Sequence, residues 1–230
     1  MSVTLAPPPA AESETAEQRF VMGGIRWDAY VAICDALDEK RGVRMIYHDG
    51  RLIFMGKSRR HEQLAELLGH LVLAVAVYLQ IDCEPSGEAT FRRRQKEAGV
   101  EGDRTFHFGA NAERMRGLRN YDFEVDPPPD LAIEVEASHP ADAAIAAWGR
   151  LAVTEVWRFD AATLACTFWN RREDGTYEQV NRSMFLPMLD PSDVSDQIHR
   201  AHELGFSTWY RQLEHWVREV IRPRIEGGDV

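Results

Sequence analysis

Cysteine is scarce in this chain, and its spacing excludes the two structural roles that cysteines most often have. The 230 residues contain three cysteines, Cys34, Cys83 and Cys166, with no CxxC pair among them. Neither a zinc site nor a disulfide framework is therefore supported. Free thiols are typical of a reducing compartment, so we expect a cytoplasmic protein.

The chain also lacks the sequence features of a membrane or secreted protein. No apolar run approaches the roughly 20 residues that cross a bilayer. Residues 1–20 have neither the basic flank nor the apolar centre of a signal peptide. We therefore expect a soluble protein with no membrane partner.

Three widespread catalytic or binding motifs are missing: a glycine-rich phosphate loop, HExxH and a nucleophile elbow. The net charge of -10 argues mildly against non-specific coating of nucleic acid, which depends on lysine and arginine. The excess acid is uneven, because residues 1–120 hold 17 basic and 17 acidic groups, whereas residues 121–230 hold 10 and 20. The first half of the chain can therefore still present a basic surface.

Composition and turn residues divide the chain into a short tail and one domain. Residues 1–18 have few large apolar groups and are predicted to be disordered, which leaves residues 19–230 as a single domain. Residues 27–40 have the apolar spacing of a helix. Asp49-Gly50 predicts a hairpin of Val43–His48 with Arg51–Met55. Ser58 is a suitable N-cap for a long helix that reaches about Gln80.

The remaining patterns predict an α/β (α+β) fold. Strands are predicted over residues 89–94, 101–108, 130–136 and 154–159, and a helix before the last strand favours a parallel pair. A second hairpin is predicted around Asp174-Gly175, followed by C-terminal helices whose last member would either close the core or form a homodimer contact. We expect one central mixed sheet of the four strands, with the helix of residues 59–80 on one face.

The stretch 126–136 is the most informative part of the sequence, because three prolines lead into a strand that alternates apolar and acidic side chains. Glu134 and Glu136 point to one face, and Ile133 and Val135 point to the other. A carboxylate on a buried sheet face is rare unless it is paired, hydrogen-bonded or bound to a cation. A metal-dependent active site is one interpretation, and an exposed face paired with arginines is the other.

A second acidic strand is predicted over residues 101–108, where Glu101, Asp103 and Thr105 would share a face. If the two acidic strands are neighbours, about 4.8 Å apart, Asp103 and Glu134 can share one divalent ion. Carboxylates and water are the usual shell of magnesium, and manganese takes similar ligands. His61 lies on the apolar face near the start of the long helix, where packing or hydrogen bonding is a more common role than ligation.

The order of these elements resembles the PD-(D/E)XK nuclease superfamily and, more narrowly, its restriction-endonuclease-like Uma-two family. The resemblance covers roughly residues 25–190. The stretches that carry it are Met55–Leu64, Ala89–Arg92, Glu101–Asp103, Pro128–Val135 and Leu151–Phe159. It implies a restriction-endonuclease-like core, a magnesium or manganese cofactor and a nucleic-acid substrate.

Two positions depart from the family pattern. Gly102 precedes Asp103 where the family has proline, and the aspartate is kept. The lysine expected two residues after the glutamate is replaced by Glu136, and the only lysines of the chain are Lys40, Lys57 and Lys96. Lys57, Lys96 or Arg150 would have to supply the missing positive charge.

Two hypotheses follow. In the first, the protein is a magnesium-dependent endonuclease in which Asp103 and Glu134 bind the ion and Glu136 adds a ligand or orients water. Lys57 or an arginine would stabilise the phosphate, with His61 and Glu101 in supporting positions. In the second, the protein is a catalytically inactive binding or structural module on the same fold, whose acidic cluster is neutralised by arginines such as Arg92 and Arg104.

Overall fold

The structure, a computed structural model, describes residues 17–37, 42–87, 89–118, 121–122 and 124–227. Most of the predicted disordered tail, residues 1–16, lies outside these ranges, as does the predicted end of the first helix, residues 38–40. Residues 17 and 18 were assigned to the tail, but Glu17 is buried and its backbone N–H donates to Ser138 Oγ at 3.1 Å.

The described chain contains both strands and helices, and its C-terminal part is helical. The strands are β1 (Arg19–Met22), β2 (Val43–His48), β3 (Arg51–Gly56), β4 (Cys83–Pro85), β5 (Thr90–Arg93), β6 (Ala98–Glu101), β7 (Arg104–Phe108), β8 (Leu131–Glu136), β9 (Glu155–Asp160), β10 (Ala165–Arg171) and β11 (Tyr177–Val180). The helices are α1 (Trp27–Ala36), α2 (Arg59–Leu79), α3 (Gly109–Met115), α4 (Asp142–Leu151), α5 (Pro191–Leu204), α6 (Phe206–Trp216) and α7 (Arg222–Glu226).

The strands form two sheets, and together with the helices they give the predicted α+β fold. The first sheet has the order β1-β3-β2-β6-β5, and the second has the order β11-β10-β9-β8-β7-β4. Within the second sheet, β8 pairs with β9 in parallel, as the strand-helix-strand order predicted, and β7 pairs with β8 antiparallel. The two acidic strands are therefore neighbours.

The prediction of one central sheet is wrong in two respects. The strand of residues 89–94 belongs to the first sheet as β5, and the strand of residues 101–108 is broken at Gly102 and Asp103. The chain crosses from one sheet to the other at this break. A Cβ on Gly102 would lie 2.7 Å from Thr105 Cγ2 and 2.9 Å from Trp148 Cζ2, so only glycine fits without movement of these neighbours.

Local signals gave the hairpins and the long helix correctly. Asp49 and Gly50 have φ of 49° and 68°, the left-handed angles that a tight turn between β2 and β3 requires. Ser58 Oγ accepts a hydrogen bond from His61 N at 3.2 Å and so caps α2, which ends at Gln80 in the left-handed conformation. The connection between β7 and β8 begins with the short helix α3.

Helix α2 is 21 residues long and apolar enough to cross a membrane by length and composition alone. The expectation that no apolar segment reaches that length is therefore wrong. Of the most apolar window of this helix, 56% is buried inside the protein. A core helix passes the same test, because its apolar face packs on a sheet.

Three apolar clusters hold the elements together. Helix α2 packs on the second sheet with α5 and α6, and Trp209, Leu213 and Val217 complete that cluster. The last helices therefore close the core, and the predicted homodimer contact remains a prediction. A second cluster combines side chains of both sheets with Trp148 and its neighbours in α4, and α1 covers the first sheet through Tyr30.

Candidate functional site

Asp103 lies in the break between β6 and β7, and its side chain is buried. Its Oδ2 accepts a hydrogen bond from Val135 N at 2.8 Å and lies 3.0 Å from His61 Nε2. Its Oδ1 makes no hydrogen bond to any described residue. The carboxylate is therefore fixed against β8 and α2 through Oδ2, which leaves Oδ1 for an ion pair.

Glu134 lies in the middle of β8 and is fully buried. The indole Nε1 of Trp148 donates a hydrogen bond to its Oε1 at 2.5 Å. The neighbouring residues Ile133 and Val135 pack into the α2 cluster, so the strand alternates as the sequence predicted. The buried face that carries Glu134 is therefore the one directed toward α4 and the first sheet.

Arg44 of β2 lies between these two carboxylates. Its Nη1 is 3.0 Å from Asp103 Oδ1, and its Nη2 donates to Glu134 Oε2. Its Nε donates to the backbone carbonyl of Glu101 at 2.6 Å. The Arg44 side chain is only 4% exposed. The two carboxylates thus converge on one cation, and that cation is a guanidinium.

Burial and charge act against each other in this cluster. Burial by itself raises the pKa of Asp103, but the charges of Arg44 and His61 outweigh it and hold that pKa below its usual value. Burial raises the pKa of Glu134, because Arg44 and Trp148 offset it only in part and the charge of Asp103 adds to it. Since Asp103 faces two cationic groups and Glu134 faces one, we expect Asp103 to be the more firmly ionised carboxylate.

His61, in the first turn of α2, lies between Asp103 and the pair of Glu62 and Lys57. Burial lowers its pKa, but the adjacent Asp103 carboxylate raises it by more, so the net shift is upward. Its Nδ1 is 3.6 Å from Glu62 Oε1, and Lys57 Nζ is also 3.6 Å from that oxygen. Lys57 therefore lies near the site but is separated from Asp103 by Glu62 and His61.

The other proposed sources of positive charge point elsewhere. Arg150 pairs with Asp49 at the hairpin turn and donates to the backbone carbonyl of Lys96 at 3.0 Å. Lys96 itself belongs to a short 3₁₀ helix, Arg94–Lys96, which follows β5. Of the three cations weighed from the sequence, Lys57 is the one that the structure brings to the cluster.

Glu136 lies two residues after Glu134 on the same face, but it pairs with a different arginine. Its Oε1 accepts from Arg158 Nε at 2.9 Å and from Ala141 N at 2.8 Å, just before α4. Arg158 also contacts Asp142 Oδ1 at 3.1 Å. Glu136 therefore links β9 to the start of α4, and its hypothesised ligand role has no geometric support here.

Glu101 contacts the cluster through its backbone carbonyl. Its Oε1 accepts from Thr90 Oγ1 at 3.1 Å, while its carbonyl oxygen binds Arg44. The predicted common face of Glu101, Asp103 and Thr105 is wrong, because the break at Gly102 ends the alternation between β6 and β7.

The arginines expected to neutralise the acidic cluster were also misidentified. Arg92 pairs with Asp35 at 3.0 Å, and Arg104 pairs with Glu66. The residue that neutralises the cluster is Arg44, which is 57 residues from Glu101 and 90 residues from Glu134 in sequence. The one available signal was a charged side chain inside the otherwise apolar start of β2.

A divalent ion fits the donor chemistry of the cluster but not its present arrangement. Asp103 and Glu134 offer carboxylate oxygens, the ligands that magnesium prefers, and Asp103 Oδ1 is buried with an ion pair to Arg44 but no hydrogen bond to the described residues. Within the described ranges, no group of three or more His, Cys, Asp or Glu side chains is arranged to hold a metal ion. The place between the carboxylates is taken by Arg44.

Comparisons with known proteins agree with this fold. No curated protein matches the chain. The chain is similar to a crystal structure, described as "a putative nuclease belonging to DUF820", from Anabaena variabilis ATCC 29413, with a TM-score of 0.52 and 13% identity. The similarity covers 75% of this chain and 98% of that one, and at this identity it shows the fold.

A family model identifies the chain more directly. The model is described as "Putative restriction endonuclease" and matches residues 27–202, which include both acidic strands and Arg44. The protein belongs to the Uma2 (Uma-two) family.

Proposed function

We propose that this protein hydrolyses phosphodiester bonds of nucleic acid as a metal-dependent endonuclease, with Asp103 and Glu134 at the reacting centre. The observation that carries the proposal is that two buried carboxylates, one in the break before β7 and one in β8, converge on a single cation. A family described as a restriction endonuclease and a similar fold described as a nuclease support it.

The cofactor in this proposal is magnesium or manganese, which Asp103 and Glu134 would hold in the place that Arg44 has here. When bound, such an ion acidifies a water molecule and offsets the charge of a phosphate. His61 and Val135 N–H fix Oδ2 of Asp103, and the Trp148 indole fixes Oε1 of Glu134. Both carboxylates are therefore held in place before any ligand arrives, which favours catalysis.

The positive charge beside the scissile phosphate is assigned to Lys57 in this proposal. Glu136, at the position where the superfamily pattern has lysine, is paired with Arg158 and supplies no positive charge. Lys57 lies at the approach to α2, on the His61 side of the cluster. The assignment of Lys57 is supported by its contact with Glu62, which also contacts His61 beside Asp103.

The proposal is tested by incubating the protein with single- and double-stranded DNA and RNA, in the presence of magnesium or manganese. Asp103→Asn should lose cleavage, because it removes a charged ligand with little change of shape. The matched control is Asp142→Asn, since Asp142 is 75% exposed and belongs to the Arg158 pair. Cleavage by Asp103→Asn at the wild-type rate would contradict the assignment of Asp103 to the reacting centre.

The alternative is a binding or structural protein in which Arg44 permanently neutralises the carboxylates. Such a protein needs the ion pairs that Arg44 makes, but the comparisons match a restriction endonuclease family and a nuclease fold. We therefore favour the enzyme. A folded wild type that cleaves none of the substrates with either metal would support the alternative.

A further inference from the structure

We infer that Arg44 and a divalent cation compete for one position between Asp103 and Glu134, so that metal binds tightly only when Arg44 has left the carboxylates. This inference rests on the proposed function for its biological meaning, because it concerns access to the same site. Its physical basis is independent of cleavage, because it follows from the contacts, burial and charge of three side chains.

The contacts of Arg44 use all three nitrogens of its guanidinium group. Nη1 faces Asp103 Oδ1 at 3.0 Å, Nη2 donates to Glu134 Oε2, and Nε donates to the Glu101 carbonyl at 2.6 Å. The other oxygen of each carboxylate is held elsewhere, Oδ2 of Asp103 by Val135 N and His61 and Oε1 of Glu134 by Trp148, so these two oxygens are the ones left for a shared ion. Arg44 therefore occupies the coordinating side of both carboxylates at once.

Burial makes joint occupancy unfavourable. The exposed fractions of the side chains are 4% for Arg44, 1% for Asp103 and 0% for Glu134. A second cation in this dry space would meet the guanidinium at close range, and like charges repel strongly where water does not screen them. One cation at a time is the arrangement that the cluster allows.

The charges of the cluster identify the kind of replacement. Arg44 and His61 are the two positive groups that face the carboxylates of Asp103 and Glu134, and only Arg44 contacts Glu134. Loss of Arg44 leaves the buried carboxylate of Glu134 without a positive partner. A divalent cation between the two carboxylates supplies that positive charge, whereas an empty site does not. The position thus accepts either the fixed arginine or a mobile divalent ion.

The same reasoning suggests how the exchange occurs with substrate. A guanidinium that leaves a carboxylate pair needs another anion, and a phosphate accepts its fork of N–H groups well. With the proposed function, a nucleic-acid phosphate would offer Arg44 another anionic partner, and Asp103 and Glu134 would then be able to hold the divalent ion. Metal and nucleic acid would therefore bind cooperatively.

The competition is measured with manganese alone, without nucleic acid, by following free Mn²⁺ in electron paramagnetic resonance titrations. Arg44→Met removes the charge and keeps an unbranched apolar chain in the position. We expect it to bind one Mn²⁺ at least about tenfold more tightly than wild type. Adding Asp103→Asn to Arg44→Met should remove that gain. Arg172→Met is the matched control, because its ion pair with Glu178 is exposed.

If Arg44→Met is unfolded without metal, circular dichroism gives a second test, because a ligand that binds only the folded state restores folding. Manganese should then refold Arg44→Met but not Arg44→Met/Asp103→Asn. The inference is overturned if wild type binds Mn²⁺ as tightly as folded Arg44→Met, or if Arg44→Met neither binds Mn²⁺ nor refolds with it. Absence of cleavage would count against the proposed function and would leave these binding results unaffected.

Discussion

Arg44 and Glu134 form an ion pair that connects the two sheets across 90 residues of sequence. Arg44 comes from β2 in the first sheet, and Glu134 comes from β8 in the second. Both side chains are almost completely buried. The contact that neutralises the candidate site is thus also a contact that holds the two halves of the fold together.

Removal of either partner should therefore destabilise the protein strongly. Arg44→Ala or Glu134→Gln each leaves a buried group without its partner, and we expect a loss of about 3–5 kcal/mol for a broken buried ion pair. The double variant should lose clearly less than the sum of the two. Urea denaturation of the four proteins in metal-free buffer gives the coupling energy. Additive losses would show that the pair contributes no specific interaction.

Lys57 and Lys96 provide a paired test of the cation assignment. Lys57 is close to Glu62 and His61 beside Asp103, whereas Lys96 belongs to the 3₁₀ helix after β5. We expect Lys57→Ala to lower the cleavage rate by about 10–100-fold, as for other groups just outside a metal's ligands. Lys96→Ala should leave the rate unchanged. Equal rates for the two variants would remove Lys57 from the mechanism.

Gly102 should tolerate no side chain, because the chain changes sheets there beside Trp148. Gly102→Ala places a Cβ within 3 Å of Thr105 and Trp148, and we expect it to cost about 1–3 kcal/mol by overpacking. Gly23→Ala is the control, since its Cβ would have no neighbour within 4 Å. Thermal melting compares the two. An unchanged melting temperature for Gly102→Ala would mean that Thr105 and Trp148 can move aside at little cost, which contradicts close packing at the crossing between the sheets.

The stability of the protein should fall in mild acid through His107. This side chain in β7 is buried, and its Nδ1 is 2.8 Å from Ser86 Oγ. Burial lowers the pKa of His107 below the ordinary value of 6.5. The unfolded chain therefore binds a proton before the folded one does. The contribution of neutral His107 to the free energy of unfolding is therefore complete above pH 6.5, and it declines as the pH falls from 6.5 toward the pKa of His107 in the folded protein.

Urea denaturation at several pH values between 5 and 8 checks this sign. His107→Gln should lose less stability than wild type between pH 6.5 and 5, because it has no group that must stay neutral. His199→Gln, on the exposed side of α5, is the control and should follow wild type. The opposite order of wild type and His107→Gln would contradict the assignment.

The parts of the fold that sequence predicted correctly depend on local signals. The turn at Asp49-Gly50, the cap at Ser58 and the alternation around Glu134 each act within a few residues. The break at Gly102 was missed because its cause is a close approach to Trp148, which is 46 residues away in sequence. Residues 101–108 have the sequence pattern of one continuous strand. No local feature of that pattern shows that Glu101 belongs to the first sheet and Arg104–Phe108 to the second.

The candidate site was predictable only in its acidic half. Asp103 and Glu134 follow from acid in apolar strands and from the family resemblance. Neither the strand pattern nor the family resemblance predicts the role of Arg44, because its partners come from β6, β8 and the break between the sheets. The alternation of the strand placed Glu136 on the same face as Glu134, but it could not show that Glu136 pairs with Arg158 and Glu134 with Arg44.

The most direct test of the account is the cleavage rate of Asp103→Asn relative to wild type and Asp142→Asn, measured on a labelled nucleic-acid substrate with manganese. If the cluster is the active site, Asp103→Asn should be slower by at least about a hundredfold, as for loss of one charge-stabilising catalytic group. Asp142→Asn should cleave as fast as wild type. Cleavage by purified wild type and Asp103→Asn at equal rates would contradict the assignment of Asp103 and Glu134 to an active site.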